Sequence, residues 1–244
     1  MPSSRLRVYQ YLSPLRSLGL EVDVMPALPE PLFSRLYYSR SRALRLVQYL
    51  AESLGTIWRA LKSRAYDVVV IQKGLVLYNL RGLDRVVSGT RLVFDMDDAV
   101  YGMNVAEFRQ PFLKMLQDAG QTLKLSKQAA AVVVGNQYLK DLALQHNPRV
   151  YTVPTPVDTD RILPMDSKLK SEKKDVVIGW LGIGEGVKYL SLVRDALREA
   201  ARRHPVRLRV VTLLTGKKLE LDGIETELVD WKLEEECLQM NRFD

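Results

Sequence analysis

Short apolar runs alternate along this chain with stretches of helical period. Aliphatic, largely β-branched runs at residues 20–24, 67–71, 91–94, 131–134 and 149–153 predict five strands, and runs at 176–181, 206–211 and 224–229 predict three more. Between them, apolar residues recur at helical spacing over 42–62, 106–126, 137–145 and 187–203. A further helical pattern, Leu6, Tyr9, Leu12, Leu15 and Leu18, follows Ser3-Ser4-Arg5 and stops at Gly19, a residue suited to the left-handed position past a helix end. Apolar runs without alternation, such as 68–71 and 131–134, have the pattern of strands covered on both faces. Strand–helix alternation of this kind predicts an α/β fold with parallel sheets and right-handed crossovers.

The pattern breaks over residues 158–174, which are polar, contain Pro164 and have no periodic apolar face. That composition marks a linker. The expected organisation is therefore a first Rossmann-like domain at 1–157, a linker at 158–174 and a second, partial domain at 175–244. The first helix is preceded by no strand, and only three strands follow the linker. The first sheet is thus expected to lack its opening strand and the second to be incomplete, as in a fragment.

Composition narrows the class. With 47% hydrophobic and 27% charged residues in 244, the chain has the apolar content of a packed core and is neither disordered nor low in complexity. One cysteine, Cys237, forms no internal disulfide, and two histidines with it are too few for a zinc site. No apolar run approaches the roughly 20 residues of a membrane span, and the N-terminus has no signal-peptide core, so a cytoplasmic protein is expected. Cys237 reads as a buried small hydrophobe, His146 and His204 as solvent-facing. The net charge is +7, and from Arg35 to Arg64 there are seven basic residues against one acid, Glu52. Interleaved with them are Tyr37, Tyr38, Leu44, Leu46, Val47, Leu50, Leu54, Ile57, Trp58 and Leu61. That segment reads either as an amphipathic helix on an anionic membrane surface, making the protein peripheral, or as a sheet-packed helix with snorkelling arginines. No nucleic-acid-binding motif accompanies the charge.

Several segments, in order, resemble a known family. They are Ser3-Ser4-Arg5-Leu6-Arg7 with Leu18-Gly19-Leu20-Glu21-Val22; Tyr66-Asp67-Val68-Val69-Val70-Ile71-Gln72-Lys73; Leu92-Val93-Phe94-Asp95-Met96-Asp97-Asp98; Ala130-Ala131-Val132-Val133-Val134-Gly135-Asn136; Val153-Pro154-Thr155-Pro156-Val157-Asp158; and Ile178-Gly179-Trp180-Leu181-Gly182. Together they resemble the retaining glycosyltransferases of family 4 (glycosyl transferase group 1), which have the two-domain GT-B fold. The resemblance implies sugar transfer from a nucleotide-diphosphate sugar to a hydroxyl on a saccharide or lipid-linked acceptor, with retention and without metal or cofactor. It also implies that an opening strand and a Glu-x7-Glu segment lie outside this sequence, so that the chain alone is expected to be inactive. A non-catalytic fragment that packs on a partner or membrane is the alternative.

Asp95, Asp97 and Asp98 follow a predicted parallel strand, where open α/β sheets place their ligands. Such clustered carboxylates repel one another unless a cation, hydroxyl or arginine is nearby. On the family reading Asp97 or Asp98 bonds an acceptor hydroxyl, with Ser4 and Arg5 also on the acceptor side; otherwise the acids cap the next segment. The run Val93-Phe94-Asp95-Met96-Asp97 also resembles the first motif of haloacid dehalogenase-type phosphatases, whose first Asp is a nucleophile. Gly182-Ile183-Gly184-Glu185-Gly186 follows a strand and precedes the 187–203 helix. It reads as a cradle for the donor diphosphate at Gly182, Gly184 and Gly186, with Lys188 adding charge, or as a plain tight turn. Trp231 at the end of the last strand faces the nucleotide base on the first reading and fills a core on the second.

Overall fold

The structure, a computed structural model, describes residues 2–26, 42–74, 81–99, 118, 120–164, 175–213 and 223–244. Most of the helix predicted over 106–126, residues 35–41 of the basic segment and linker residues 165–174 lie outside these. The chain divides into two compact units, Met1–Val157 and Asp158–Asp244.

The first unit is built on a four-stranded parallel sheet of β1 (Val69–Gln72), β2 (Leu92–Met96), β3 (Ala131–Val134) and β4 (Val150–Thr152), in that spatial order. The registers Val69↔Leu92, Val93↔Ala131 and Val132↔Val150 align the strands so that their C-terminal ends finish together. Among the described residues, six α-helices belong to this unit: α1 (Pro2–Arg7), α2 (Leu12–Ser17), α3 (Arg42–Lys62), α4 (Leu83–Val86), α5 (Gln121–Gln128) and α6 (Gln137–Leu144). Leu92, Phe94 and Met96 of β2 and Val132 and Val134 of β3 are buried with Leu125, Leu139 and Ala143 from α5 and α6. Continuous apolar runs thus became the central, doubly covered strands.

Two side chains set the ends of these elements. The Asn136 Oδ1 accepts from Leu139 N at 2.9 Å, capping α6 directly after β3. Buried Asn147 donates through Nδ2 to Ser126 O and Ala129 O, both at 2.8 Å, and its Oδ1 accepts from Arg149 N at 2.8 Å. It ties the end of α5 to the entries of β3 and β4.

Two sequence expectations need correction here. Residues 20–24 form no strand: the Val22 carbonyl accepts instead from Arg16 Nη2 at 3.0 Å, and no described strand lies alongside to complete a ladder. The helix expected from Leu6 to Leu18 is broken by a 3-10 turn at Tyr9–Tyr11. Pro14 explains the break, because its ring excludes the carbonyl four residues earlier and its nitrogen donates nothing. Gly19, at φ +82°, ends α2 as its position predicted.

The second unit carries a three-stranded parallel sheet, β5 (Val176–Leu181), β6 (Val206–Thr212) and β7 (Glu225–Asp230), with β6 in the middle. Leu208 and Val210 are buried against Leu190, Ile224 and Leu197 of α7 (Arg194–Arg203). In register across the sheet, Arg209 donates to Glu227 Oε2 at 2.5 Å, and its other terminal nitrogen reaches Gln239 Oε1 of α8 (Glu236–Met240) at 2.8 Å. At the β5 edge, Asp244 N donates to Val177 O, and Val177 N donates to Asp244 Oδ2, both at 3.0 Å. The Phe243 ring lies over Gly179, where any Cβ would collide with it.

Candidate functional site

The C-terminal ends of β1 to β4 bring together residues distant in sequence. Arg7 reaches them from α1. Its Nε donates to Asp95 Oδ2 at 2.8 Å, its Nη2 to Asp95 Oδ1 at 2.5 Å, and its Nη1 to Val153 O at 2.9 Å and Thr155 Oγ1 at 3.2 Å. The pair is buried, with side-chain exposures of 4% for Arg7 and 9% for Asp95. Asp95 holds the guanidinium above its ordinary pKa, against the burial that opposes it, so Arg7 stays charged wherever the protein is folded.

Lys73 stands one residue past β1 in the left-handed region, at φ +65°, and is the one described non-glycine residue there. Its N–H donates to Asp95 O at 2.8 Å, and its Nζ lies 2.6 Å from Asp98 Oδ2 and 3.3 Å from Asp97 Oδ1. A lysine in this conformation carries a backbone cost that a glycine would not. Gly135, after β3, faces the Asp97 backbone: a Cβ there would be in ordinary contact, 3.4 Å from the Asp97 Cα and carbonyl oxygen. Asp97 is mostly buried, whereas Asp98 is about half exposed and Lys73 about a third. The three carboxylates are thus answered by two cations, and the Asp98–Lys73 pair faces solvent with unspent hydrogen-bonding capacity. Such a pair accepts from and donates to vicinal hydroxyls at once.

The predicted acids Asp97 and Asp98 therefore share one cluster. Ser4 and Arg5 stand half buried on α1, just before Arg7. Sequence reasoning missed Arg7 and Lys73; a cation or arginine was one of the partners, with a hydroxyl, that three clustered acids could take. Among the described residues, no group of three His, Cys, Asp or Glu side chains is placed to hold a metal. A cavity of about 440 Å³, lined by Arg81, Asp84, Arg85, Asp118 and Lys124, involves none of the predicted site residues.

In the second unit, the glycine segment behaves differently from its expectation. Gly182 N donates to Val211 O at 3.2 Å and Gly186 N to Ile183 O at 2.8 Å, so both amides serve the fold. Both glycines also accommodate Trp180: a Cβ would fall 2.8 Å from its ring at Gly182 and 3.1 Å at Gly186. Gly184 alone of the three is open, its Cβ position meeting nothing nearer than Leu213 O at 3.6 Å. Close by lies Thr212 Oγ1, buried and without a hydrogen-bond partner. The helix expected over 187–203 begins instead as a 3-10 helix, Gly184–Val193, and turns α-helical only as α7. Two glycines among its first three residues weaken an α-helical start, so no α-helix N-terminus stands at the loop. Lys188 is exposed and lies over the Tyr189 ring at 5.1 Å.

Trp231 is half buried; its N–H continues the sheet to Thr212 O at 3.0 Å, and its indole Nε1 donates to Glu236 Oε2 at 3.2 Å. Cys237 is not the buried hydrophobe expected; it is half buried, with Sγ 3.7 Å from Leu163 O. His204 is exposed, but His146 is half buried, a second departure from expectation.

No protein-family profile and no curated protein matches the chain. Solved structures do. One is trehalose-6-phosphate synthase, studied with bisubstrate glycomimetics for enzymatic glycosyltransfer with retention; another is the E. coli trehalose-6-phosphate protein bound with UDP-2-fluoro glucose. Each aligns with a TM-score of 0.50 at 14% identity, over 88% of this chain and 59% of the other. The chain thus spans 59% of the length of these structures. At that identity the likeness concerns the fold, which is α/β with two Rossmann-like parallel sheets of GT-B type.

Proposed function

We propose that the chain belongs to a retaining glycosyltransferase of the family 4 type, with the first unit on the acceptor side and the second on the donor side, working in the cytoplasm. The observation that carries this reading is the Lys73–Asp97–Asp98 cluster at the C-terminal ends of a parallel sheet in a GT-B-like fold. Asp98 accepts from an acceptor hydroxyl and Lys73 donates to its neighbour, which orients the attacking oxygen. In the transfer, the bond from the anomeric carbon to the diphosphate breaks, the bond to the acceptor oxygen forms, and the hydroxyl proton departs with the diphosphate. On the donor side the open backbone at Gly184, with the spare Thr212 hydroxyl beside it, suits a diphosphate oxygen. Lys188 and Trp231 are the outer members of that donor set, Ser4 and Arg5 of the acceptor set.

The aspartyl-phosphatase reading has a specific observation against it. Its nucleophile would be Asp95, yet both carboxylate oxygens accept from buried Arg7. A nucleophile needs a lone pair facing its substrate.

The test is calorimetric titration of the purified chain with UDP- and GDP-sugars and with hexoses. Nucleotide-sugar binding lost in Gly184→Trp, and saccharide binding lost in Asp98→Asn, are the expected results. A folded chain that binds neither class refutes the proposal.

A further inference from the structure

The cavity at the start of α4 and α5 holds charges that the fold leaves unpaired. Its volume of about 440 Å³ lies within the range of small-molecule pockets, roughly 300–1,000 Å³. Lys124 and Gln128 stand one turn apart on α5 and look toward α4: Gln128 Nε2 donates to the Asp84 carbonyl at 3.0 Å, and Lys124 lines the cavity. Lys124 is already answered. Its ammonium pairs with one oxygen of Asp118, whose other oxygen accepts from Gly120 N at 3.0 Å. Arg81, Asp84 and Arg85 line the cavity from the start of α4. Asp84 is 9% exposed, and its Oδ1 is buried without a hydrogen-bond partner. Arg81 and Arg85 are exposed, and among the described residues neither guanidinium is paired. A buried carboxylate oxygen without a donor is costly, so its place beside two unpaired guanidiniums points to a ligand that completes all three.

We propose that this cavity binds a small phosphomonoester that also carries a hydroxyl. Two guanidinium forks at one spot are matched by a phosphate, with three terminal oxygens and a charge of about −2, better than by a carboxylate. The Asp84 oxygen then accepts from a donor elsewhere on the same molecule. A neutral hydroxyl suits it better than an ammonium, because the neighbouring arginines already offset the carboxylate charge. Binding therefore has two parts, charge at Arg81 and Arg85 and a hydroxyl hydrogen bond at Asp84. Neither part involves Lys73, Asp97 or Asp98, and the inference does not rest on sugar transfer.

The experiment is calorimetric titration of the full chain with glycerol 3-phosphate, inorganic phosphate and glycerol. Glycerol 3-phosphate is expected to bind at least about tenfold more tightly than inorganic phosphate, and glycerol not at all. Arg81→Gln/Arg85→Gln, both at exposed positions, weakens glycerol 3-phosphate at least about tenfold with the thermal melt unchanged. Asp84→Ala moves the two anions in opposite directions. Glycerol 3-phosphate loses its hydroxyl contact and weakens, while inorganic phosphate, relieved of a like charge, binds more tightly. A carboxylate that only shapes the fold would shift both together. The inference is overturned if the folded chain takes up no glycerol 3-phosphate at about 10 mM, if inorganic phosphate binds equally well, or if the arginine variant binds as the parent chain does. The arginine variant keeps the nucleotide-sugar and hexose titrations of the parent chain, so this reading and sugar transfer fail separately.

Discussion

Arg7 and Asp95 meet side-on and buried, through two guanidinium nitrogens at 2.8 and 2.5 Å, across 88 positions of sequence. The pair joins α1 to the middle of the first sheet, and the remaining Arg7 nitrogen extends the tie to Val153 and Thr155 beyond β4. It withdraws one of three clustered carboxylates from chemistry and leaves the other two to Lys73.

Arg7→Ala is therefore expected to destabilise the chain by about 3–5 kcal/mol, since it leaves the Asp95 carboxylate buried and alone. Arg7→Lys recovers little of this, because an ammonium cannot reproduce the two-pronged bond. Urea unfolding of Arg7→Ala, Asp95→Asn and the double variant measures the coupling. A sum of the single effects equal to the double effect would show that the two residues act independently.

Lys73 combines a backbone cost with a charge, and two substitutions separate them. Lys73→Gly and Lys73→Ala both remove the ammonium beside Asp97 and Asp98, but only glycine accepts φ +65° freely. The glycine variant should be the more stable of the two by about 1 kcal/mol, which urea unfolding resolves. Both should lose saccharide binding equally. A glycine variant that still binds would mean that the ammonium takes no part.

Much of the architecture was legible because the runs at 131–134 and 176–181 are rich in β-branched residues, free of charge and followed by glycine. The segment at 20–24 looked equally strand-like, but a strand depends on a neighbour, and local sequence cannot say whether its carbonyls find one. The acids of the site were legible from their place after β2. Arg7 was not, since nothing within a helix of mixed polarity distinguishes an arginine that turns inward. Trp180 likewise reveals only in three dimensions why Gly182 and Gly186 lack side chains. On α3, Leu54 and Trp58 are exposed, since a hydrophobic stripe shows that a helix has a face to cover but not what covers it.

Asn147→Ala should cost about 2–4 kcal/mol, because three hydrogen bonds disappear and the Ser126 and Ala129 carbonyls remain buried. Asn147→Asp should do no better, since a carboxylate cannot donate to those carbonyls. Hydrogen exchange should report faster opening of β3 and β4. Aspartate at full stability would show that the two carbonyl bonds contribute nothing.

The glycine segment separates a turn from a binding site through a pair of alanine substitutions. In Gly182→Ala the new methyl falls 2.8 Å from the Trp180 ring, which packs against the second core, so about 1–3 kcal/mol of stability should be lost. In Gly184→Ala the methyl meets only Leu213 O at 3.6 Å and Thr212 Oγ1 at 3.9 Å. There φ is not positive, so restricting the unfolded chain should leave stability unchanged or raised by up to about 1 kcal/mol. A diphosphate resting on this backbone would be displaced by that methyl. Affinity for a nucleoside diphosphate should therefore fall at least about tenfold in Gly184→Ala while the melting temperature holds or rises, a divergence that a purely structural glycine cannot produce. Unfolding and calorimetry on the same preparations read both quantities. Unchanged affinity in Gly184→Ala would reduce the segment to a turn shaped by Trp180 and move the search for the donor site elsewhere.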